Sequence, residues 1–354
     1  MKKKKSLETL LIPVIIIVAA MALTSVLILS IGVNPIFAYS QMFVGAFGGL
    51  NNIINTINKA VPICFAGFAV ALSTRAGIFN IGVEGQLVFG AFGSALAGAY
   101  ITGLPAFIHI PVTILCGMIF GMLFAVIPTA LYITRGANLL VLCILMNSIA
   151  KLLITYFVVG PFAVEGQMFA ATKKIEPTAQ LPYLISQPNR LTSGILIAVF
   201  IAFVLWFYFN KTTSGYELKV CGNNGQAALY AGIRVKKYQV GALLAGGALA
   251  GLAGGIEVAS TYLRLFDGFS PGYGFDGIPI AMLASGNPFG IIFGSLMFGA
   301  LRVGSTTMQS KAGVSVEIIT FVQGVLITMI AGQYIIQFCL EHMANRRKEK
   351  AVSK

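Results

Sequence analysis

The residues that could carry chemistry in this chain are polar side chains set within long apolar sequence. The first group lies between Ser73 and Gln86 and includes Arg75, Asn80 and Glu84, together with three glycines. Polar groups are costly against lipid, so inside a membrane they face protein or a water-filled cavity. Glycine-interrupted helix at membrane depth is tolerated under the same condition. We therefore predict a broken helix from Arg75 to Gln86 beside a polar pathway.

A second interrupted stretch, Gly272 to Pro288, has the same character and contains Asp276. Two interrupted segments in the two halves of a chain point to a transport site. Amide side chains suit a neutral, hydroxylated or heterocyclic solute, because they both donate and accept hydrogen bonds. The predicted substrate-pathway residues are Arg75, Asn80, Glu84, Gln86, Asn147 and Asp276.

A structural role for these residues stays open beside the functional one. Glu84 and Asp276 would each serve equally well as the cap of a half-helix N-terminus, or as the partner of a basic residue such as Arg75. Arg75 itself would also serve as an anchor at the membrane interface. Asn147 would also serve as a hydrogen-bonding contact between two helices.

The composition indicates an integral membrane protein. Of the 354 residues, 57% are hydrophobic and 10% are charged, whereas soluble domains carry about 25% charged residues. The mean hydropathy is +0.87. The net charge of +13 is concentrated at the chain ends and in particular loops, as is typical of residues that orient a membrane protein. Basic residues do not alternate with aromatic ones as in a single-strand groove, which excludes nucleic acid as the partner.

Other reactive residues do not form a better site. The five cysteines are widely spaced and four lie in apolar runs, so we expect neither a disulfide framework nor a metal site. The stretch from Gly268 to Gly272 fits the G-x-S-x-G pattern of serine hydrolases, and His109 is expected on the same side of the membrane. That pattern requires a strand-to-helix turn, and Pro271 follows the serine directly. A glycine-rich outer turn is therefore the simpler interpretation.

The elements that must position these residues are membrane-spanning helices. We predict an all-α, polytopic protein with about ten spans of ~20 residues, two of them broken, and with both termini in the cytoplasm. A basic run precedes Leu10 to Val33, which is long enough to be an uncleaved first span. Asn34 to Asn58 is expected to lie along the outer interface. The further predicted segments are Ala60–Leu72, Ile78–Ile101, Pro111–Ile133, Leu139–Val159, Leu191–Phe209, Gln239–Tyr262, Ile278–Ser285, Pro288–Val303 and Val316–Leu340.

One transmembrane domain, residues 10–340, is expected between basic cytoplasmic ends at residues 1–9 and 341–354. Residues 160–191 form the longest predicted loop on the outside. Residues 211–237 form the longest loop on the inside, where lysine and arginine outnumber the acidic residues, as expected of a cytoplasmic face. Small residues at four-residue spacing predict close helix contacts; they are Gly90, Ser94 and Gly98, then Gly117 and Gly121, then Gly247, Gly251 and Gly255.

Four stretches together resemble the simple-sugar and nucleoside branch of ABC transporter permeases, which is related to the ribose and branched-chain amino acid importers. The string Arg-Ala-Gly-Ile-Phe-Asn-Ile-Gly-Val-Glu-Gly-Gln, residues 75–86, is similar to the hallmark of that branch. Residues 214–233 resemble its cytoplasmic coupling loop, and residues 246–255 resemble the glycine-rich helix that follows. Residues 274–288 resemble its second broken segment.

The resemblance covers residues 60–340 and implies the permease subunit of an ATP-driven importer in the cell membrane, for nucleosides or, alternatively, for simple sugars. It implies that this chain binds no cofactor and that a partner hydrolyses ATP. The chain has no Gly-Lys pair, and so it lacks the usual phosphate-binding loop. The implied partners are an ABC ATPase subunit, a second permease subunit in a heterodimer, and an extracytoplasmic substrate-binding lipoprotein. The implied ATPase-coupling residues are Gly222, Asn223, Asn224, Gly225, Gln226, Ala227, Ala228, Ala231, Gly232 and Ile233.

An ion-coupled or proton-coupled secondary transporter stays open from the residues alone. Such a protein would need no ATPase. The loop at residues 211–237 would then be an ordinary solvated inner loop, which is the interpretation that its residues favour when the resemblance is set aside.

Overall fold

A computed structural model describes residues 22–164, 166, 169–185, 189–315, 321 and 324. The predicted cytoplasmic ends at 1–9 and 341–354 lie outside these residues, as does nearly all of the predicted span Val316–Leu340. The described chain is mostly α-helical. Its helices are α1 Ala22–Ser30, α2 Pro35–Phe47, α3 Leu50–Arg75, α4 Val83–Tyr100, α5 Ala106–Arg135, α6 Leu139–Val159, α7 Gly194–Lys211, α8 Thr213–Asn223, α9 Gly225–Tyr230, α10 Val235–Glu257, α11 Tyr273–Leu283 and α12 Pro288–Ala312.

Six of the described helices are long and apolar enough to cross a membrane, namely α3, α5, α6, α7, α10 and α12. There is a seventh crossing if α1 and α2, which meet at a bend of 113°, are counted as one span. The apolar side chains of α6 and α7 are widely exposed on the isolated chain, as Leu152 and Phe200 illustrate. Exposed apolar surface of this extent fits contact with lipid or with another membrane chain.

The chain forms two compact units. The larger contains residues 46–303 and all of the predicted pathway and coupling residues. The smaller contains, of the described residues, those up to 45 and those from 304 onward. Its described core joins Ile28, Ala38, Met308 and Val314.

In the core of the larger unit α4, α5 and α10 cross one another. Glycines occupy the positions at which these helices touch. A Cβ atom on Gly251 would overlap backbone atoms of Gly117 and Gly121, and one on Gly90 would overlap Gly251 itself. A Cβ atom on Gly247 would likewise meet α5. Small residues let helix backbones approach in this way. The predicted small-residue faces are thus confirmed as helix contacts, except at Gly98, where a Cβ atom would meet Ile175 and Ala179 of the loop before α7.

Helix α3 differs from the prediction, which placed residues up to Asn58 along the interface and began the span at Ala60. The structure has one continuous helix from Leu50 to Arg75, with Pro62 inside it. Asn51 and Asn55 in its first turns are exposed, but protein partners bind the helix from Asn58 onward: the Asn58 amide donates to the Arg190 carbonyl at 2.7 Å. Because protein groups replace water there, the polarity of the sequence does not mark the end of the helix.

The two long loops carry short elements. The loop before α7 contains a 3₁₀ turn at Pro177–Ala179 and an antiparallel pair of strands, β1 Tyr183–Ile185 and β2 Leu191–Thr192. The loop after α7, predicted as residues 211–237, consists mainly of the short helices α8 and α9.

Candidate functional site

The first predicted break lies between α3 and α4, and the amide of Asn80 holds it together. Asn80 is fully buried. Its Oδ1 atom accepts from the Gly82 backbone N–H at 2.9 Å. Its Nδ2 atom donates to Gln86 Oε1 at 3.3 Å. The Cys143 thiol on α6 approaches Asn80 Oδ1 at 3.6 Å. The side chains of Asn80 and Gln86, both predicted to border the pathway, therefore bind each other. Asn80 also binds the backbone of the break.

Asn147 holds the same break from α6. Its Nδ2 atom donates to the Ile81 carbonyl at 3.0 Å, and its Oδ1 atom accepts from the Gly85 N–H at 2.9 Å. Backbone groups released by a break must find partners inside a membrane protein. Asn147 supplies one donor and one acceptor, which is the interhelical role left open by the sequence.

The second predicted break lies directly against the first. Glu84, in the first turn of α4, accepts from the Gly274 N–H of α11 at 2.7 Å. A Cβ atom on Gly274 would overlap the Glu84 backbone. The Ser270 hydroxyl accepts from the N–H groups of Gly272 and Tyr273, both at 3.3 Å. Glu84 and Ser270 together thus bind the N-terminal N–H groups of α11.

Asp276 forms an ion pair with Arg302 of α12, at 2.5 Å between Oδ2 and Nε. The carboxylate is almost entirely buried, and the same guanidinium donates from Nη2 to the Pro271 carbonyl at 3.0 Å. Arg302 also lies 5.0 Å from the centre of the Tyr273 ring. The basic partner of Asp276 is therefore Arg302, and not Arg75 as the sequence suggested.

Tyr273 connects this pair to a second charge pair, of half-buried Lys59 and buried Glu257, that sequence reasoning did not assemble. Lys59 of α3 donates to the hydroxyls of Tyr273 at 2.8 Å and Tyr262 at 3.0 Å. The Lys59 Nζ atom lies 3.8 Å from Glu257 Oε1, and Glu257 is 2% exposed. Charged residues inside apolar helices are the signal that would have found Lys59, Glu257 and Arg302.

Arg75 lies at the end of α3, away from those pairs. Its guanidinium lies over the Phe209 ring at 4.1 Å. Such stacking on an aromatic face is favourable for an arginine. The Nε atom is buried and makes no hydrogen bond within the described part of the chain. The structure therefore places Arg75 apart from Glu84 and Asp276.

Helix α8 contacts the first break through a pair of glycines. A Cβ atom on Gly222 would overlap the Arg75 carbonyl. A Cβ atom on Gly77, whose φ is +76°, would lie 3.1 Å from the Gly222 Cα atom. The predicted coupling region is therefore in direct backbone contact with the break that starts the predicted pathway.

The short helix α9, Gly225–Tyr230, follows within the predicted coupling residues. The Asn224 side chain caps it by accepting from the N–H groups of Gln226 at 3.1 Å and Ala227 at 3.0 Å. Ala228 is fully buried, whereas Tyr230 is 92% exposed. An exposed aromatic side chain of this kind fits a surface that meets another protein.

The hydrolase pattern does not assemble into a catalytic pair. The Ser270 hydroxyl lies at the N-terminus of α11, as described above. His109 Nδ1 lies 2.8 Å from Thr178 Oγ1, and Nε2 lies 3.4 Å from the Ala97 carbonyl. The two side chains thus have separate partners, and Ser270 lies before a helix without the strand that a nucleophile elbow needs.

The described cysteines are Cys64, Cys116, Cys143 and Cys221, and all four are free thiols. Cys221, on α8 outside the spans, is buried, and burial together with the charge of Glu217 raises the pKa of its thiol. Among the described residues no group of three or more His, Cys, Asp or Glu side chains is placed to hold a metal ion.

Comparison with known proteins connects this arrangement to membrane transport. A family model described as "Branched-chain amino acid transport system / permease component" matches residues 52–331. That range contains both breaks, α8, α9 and the two charge pairs.

Several permeases are similar over nearly the whole chain. The guanosine ABC transporter permease protein NupP of Bacillus subtilis is 34% identical, covering 95% of this chain and 97% of the relative. The nucleoside ABC transporter permease protein NupB of Lactococcus lactis is 30% identical, covering 97% and 96%. The glucose ABC transporter permease protein TsgB13 of Haloferax volcanii is 31% identical, covering 90% and 86%. This chain therefore belongs to the permease-component family of branched-chain amino acid transport systems, as an integral protein of the cell membrane that transports and does not itself hydrolyse ATP.

Proposed function

We propose that this chain is a permease subunit of an ATP-driven importer of nucleosides. The observation that carries the proposal is the 34% identity to a guanosine permease over 97% of that protein. Import of simple sugars is the second candidate, and the 31% identity to a glucose permease favours it specifically. An ion-coupled transporter has no comparable support.

The substrate pathway runs beside the two abutting breaks and is bordered by Arg75, Asn80, Glu84, Gln86, Asn147 and Asp276. Asn80, Gln86 and Asn147 keep the backbone of the first break in place. The carboxylate of Glu84 bridges the two breaks at Gly274. A change in the distance between the breaks would therefore strain this hydrogen bond, which makes Glu84 the residue most directly tied to opening of the pathway.

The coupling residues are those from Gly222 to Ile233, at the junction of α8 and α9. The exposed Tyr230 is suited to contact the ATPase, and the buried Ala228 keeps α9 on the protein. The glycine contact between Gly222 and Arg75 gives the ATPase a direct mechanical path to the first break. ATP would thus be hydrolysed by the partner while this chain binds no cofactor.

The complete transporter contains an ABC ATPase, a second and similar permease that makes a heterodimer, and an extracytoplasmic lipoprotein that delivers the solute. The permease has about ten spans, and both termini lie in the cytoplasm with the basic α8–α9 loop, in keeping with the positive-inside rule.

Uptake by cells that express the complete transporter tests the substrate. We expect accumulation of radiolabelled guanosine or another nucleoside, and competition by unlabelled nucleosides in preference to glucose or ribose. Preferential competition by sugars would favour the second candidate. A deletion of this chain alone is the control.

Purification in mild detergent tests the class of transporter. We expect the tagged chain to co-purify with an ATPase, a second permease and a lipoprotein. A chain that purifies alone, and that supports uptake abolished by an uncoupler while ATP is held constant, would contradict an ATP-driven mechanism.

A further inference from the structure

A cavity of about 450 Å³ lies where the N-terminal turns of α3 meet the β1–β2 hairpin and the turn after α10. Pockets for small molecules have volumes of about 300–1,000 Å³, so the cavity is large enough for a nucleoside or a monosaccharide. Three of its lining residues are Asn51, Asn55 and Asn58 of α3. Their spacing of four and three places them on one face of the helix. The cavity is therefore lined by a row of primary amides.

The cavity and the coupling region lie at opposite ends of α3. Asn55 lines the cavity, and Arg75, twenty residues further along the helix, contacts Gly222 of α8. At 1.5 Å per residue the helix covers about 30 Å over that length, which is about the thickness of the hydrocarbon core. Because the basic α8–α9 loop marks the cytoplasmic side, the cavity opens on the outer side.

The cavity presents hydrogen-bonding groups that the protein leaves available. The amides of Asn51 and Asn55 make no hydrogen bond to any other described residue. The Oδ1 atom of Asn189, also in the lining, is buried and has no hydrogen-bond partner within the described chain. Asn58 differs, because its Oδ1 atom accepts from the Thr192 N–H at 3.1 Å. Asn58 thus attaches the hairpin to α3. The amides of Asn51, Asn55 and Asn189 stay available to bind a ligand.

The wall opposite the amides is an unusual backbone. Ser260 and Thr261 line the cavity from a π-helical turn, Val258–Tyr262, that follows α10 and ends at Leu263 with φ of +58°. Such turns occur frequently at functional sites. The Tyr183 hydroxyl of the hairpin donates to the Ser260 carbonyl at 3.1 Å. The turn and the hairpin therefore form one supported wall.

We propose that this cavity is a solute-binding subsite on the outer side, which receives a neutral solute with several hydrogen-bonding edges before it reaches the breaks. The proposal rests on the proposed function for its solute class, nucleosides first and sugars second. Primary amides form paired hydrogen bonds with the edges of nucleobases. Of the described residues that line the cavity only Arg190 is charged, which suits a neutral solute. The π-helical turn connects the subsite to Glu257, the residue immediately before it.

Leucine substitutions test the subsite in the complete transporter. We expect Asn51→Leu with Asn55→Leu to raise the KM for uptake roughly tenfold, because two hydrogen-bonding amides are lost, and to leave assembly with the ATPase unchanged. Asn55→Gln, which keeps the amide, should restore most of the affinity. Asn52→Leu controls for the loss of an amide on the same turn outside the cavity lining. Because Asn52 makes a contact of its own, this variant is compared only when it assembles to the level of the unsubstituted transporter. An unchanged KM in the double variant overturns the proposal.

Thiol labelling measures occupancy separately from transport. In the complete transporter carrying Asn55→Cys, an impermeant maleimide is added from outside, with and without a panel of nucleosides and sugars. We expect the transported solute to slow labelling of the introduced thiol several-fold. If no member of the panel slows labelling, or if the binding lipoprotein alone slows it as much as with solute, the subsite is wrong. The proposed function is judged separately, by uptake in the unsubstituted transporter.

Discussion

At the scale of single residues, the charges inside this bundle have specific partners. Asp276 pairs with Arg302, and Lys59 lies between Glu257 and two tyrosine hydroxyls. Removal of one member of a buried pair leaves a charge without compensation, which costs more than removal of both. Loss of a single partner is therefore the change to which the contacts among α3, α10, α11 and α12 are most sensitive.

The Asp276–Arg302 pair can be tested by a double-mutant cycle. We expect Asp276→Leu and Arg302→Met to destabilise the assembled permease by about 3–5 kcal/mol each, because each leaves a buried charge. The double variant should lose clearly less than the sum. Thermal unfolding of the purified complex measures this, and additive losses would show that the two side chains do not depend on each other.

Glu84 is predicted to matter for transport more than for assembly. Glu84→Gln keeps an oxygen that can accept from the Gly274 N–H but removes the charge that strengthens this hydrogen bond. We expect uptake to fall at least several-fold while the complex still purifies intact. Wild-type uptake in this variant would remove Glu84 from the pathway.

The sequence predicted the residue types of the site better than their partners. Polar residues in apolar helices were visible at once, and the alternative that Glu84 caps a half-helix agrees with its bond to Gly274. Arg75 was the basic residue proposed from the sequence, but the structure pairs Asp276 with Arg302, 26 residues further on. Lys59 and Tyr262 are 203 residues apart. Only the packing of helices brings such residues together, and a local sequence pattern does not predict which helices pack against each other.

At the scale of elements, the contact between α8 and the α3–α4 break is made closely by backbone atoms. Because Gly222 and Gly77 have no side chains, the backbones of the two segments touch directly. Closely packed interiors transmit displacement because they resist compression. We therefore expect a movement of α8 to displace the break as well.

Gly222→Ala tests this transmission. An added Cβ atom would overlap the Arg75 carbonyl, so α8 must move away from the break. We expect ATPase activity of the complex to persist while solute uptake falls roughly tenfold or more. Gly241→Ala on α10 is the matched control, because its Cβ atom would meet nothing within 4 Å. Uptake and ATP hydrolysis that fall together in the Gly222 variant would argue for simple damage.

The elements themselves were predictable where hydropathy changes sharply. Helix α6 has the predicted bounds, Leu139–Val159, because it is largely apolar and Asn138 caps its start. Helix α3 begins ten residues before the predicted span. Its first turns contain Asn58 and Lys59, whose partners on distant segments replace water.

At the scale of the whole molecule, the distribution of charge predicts which end of the bundle faces the cytoplasm. Residues 211–237, which contain α8 and α9, carry five lysines and arginines against one glutamate, whereas the loop before α7 carries three basic and two acidic residues. Cytoplasmic loops of membrane proteins carry the excess of lysine and arginine. The predicted orientation places the coupling residues on the cytoplasmic side and the loop before α7 on the outer side.

The orientation can be tested by single cysteines in intact cells. An impermeant maleimide added outside should label Lys174→Cys, which lies at an exposed position of the loop before α7. It should label Tyr230→Cys only after the cells are opened. The unsubstituted chain gives the background. Labelling of Tyr230→Cys in sealed cells would reverse the orientation.

The burial of α4 has a consequence for how the protein is made. This helix lies between α5 and α10, and its first turn carries Glu84 with Gln86 close behind. It is the one helix at the core crossing that is not apolar enough to count among the six candidate spans. Released alone into lipid from the insertion machinery, α4 would expose these groups and its glycine face. Its neighbour α5 is synthesised next, but α10 begins only at Val235, far later along the chain. The nascent permease must therefore shelter α4 until α10 emerges, so membrane integration of this chain is a cooperative event rather than a sequence of independent insertions.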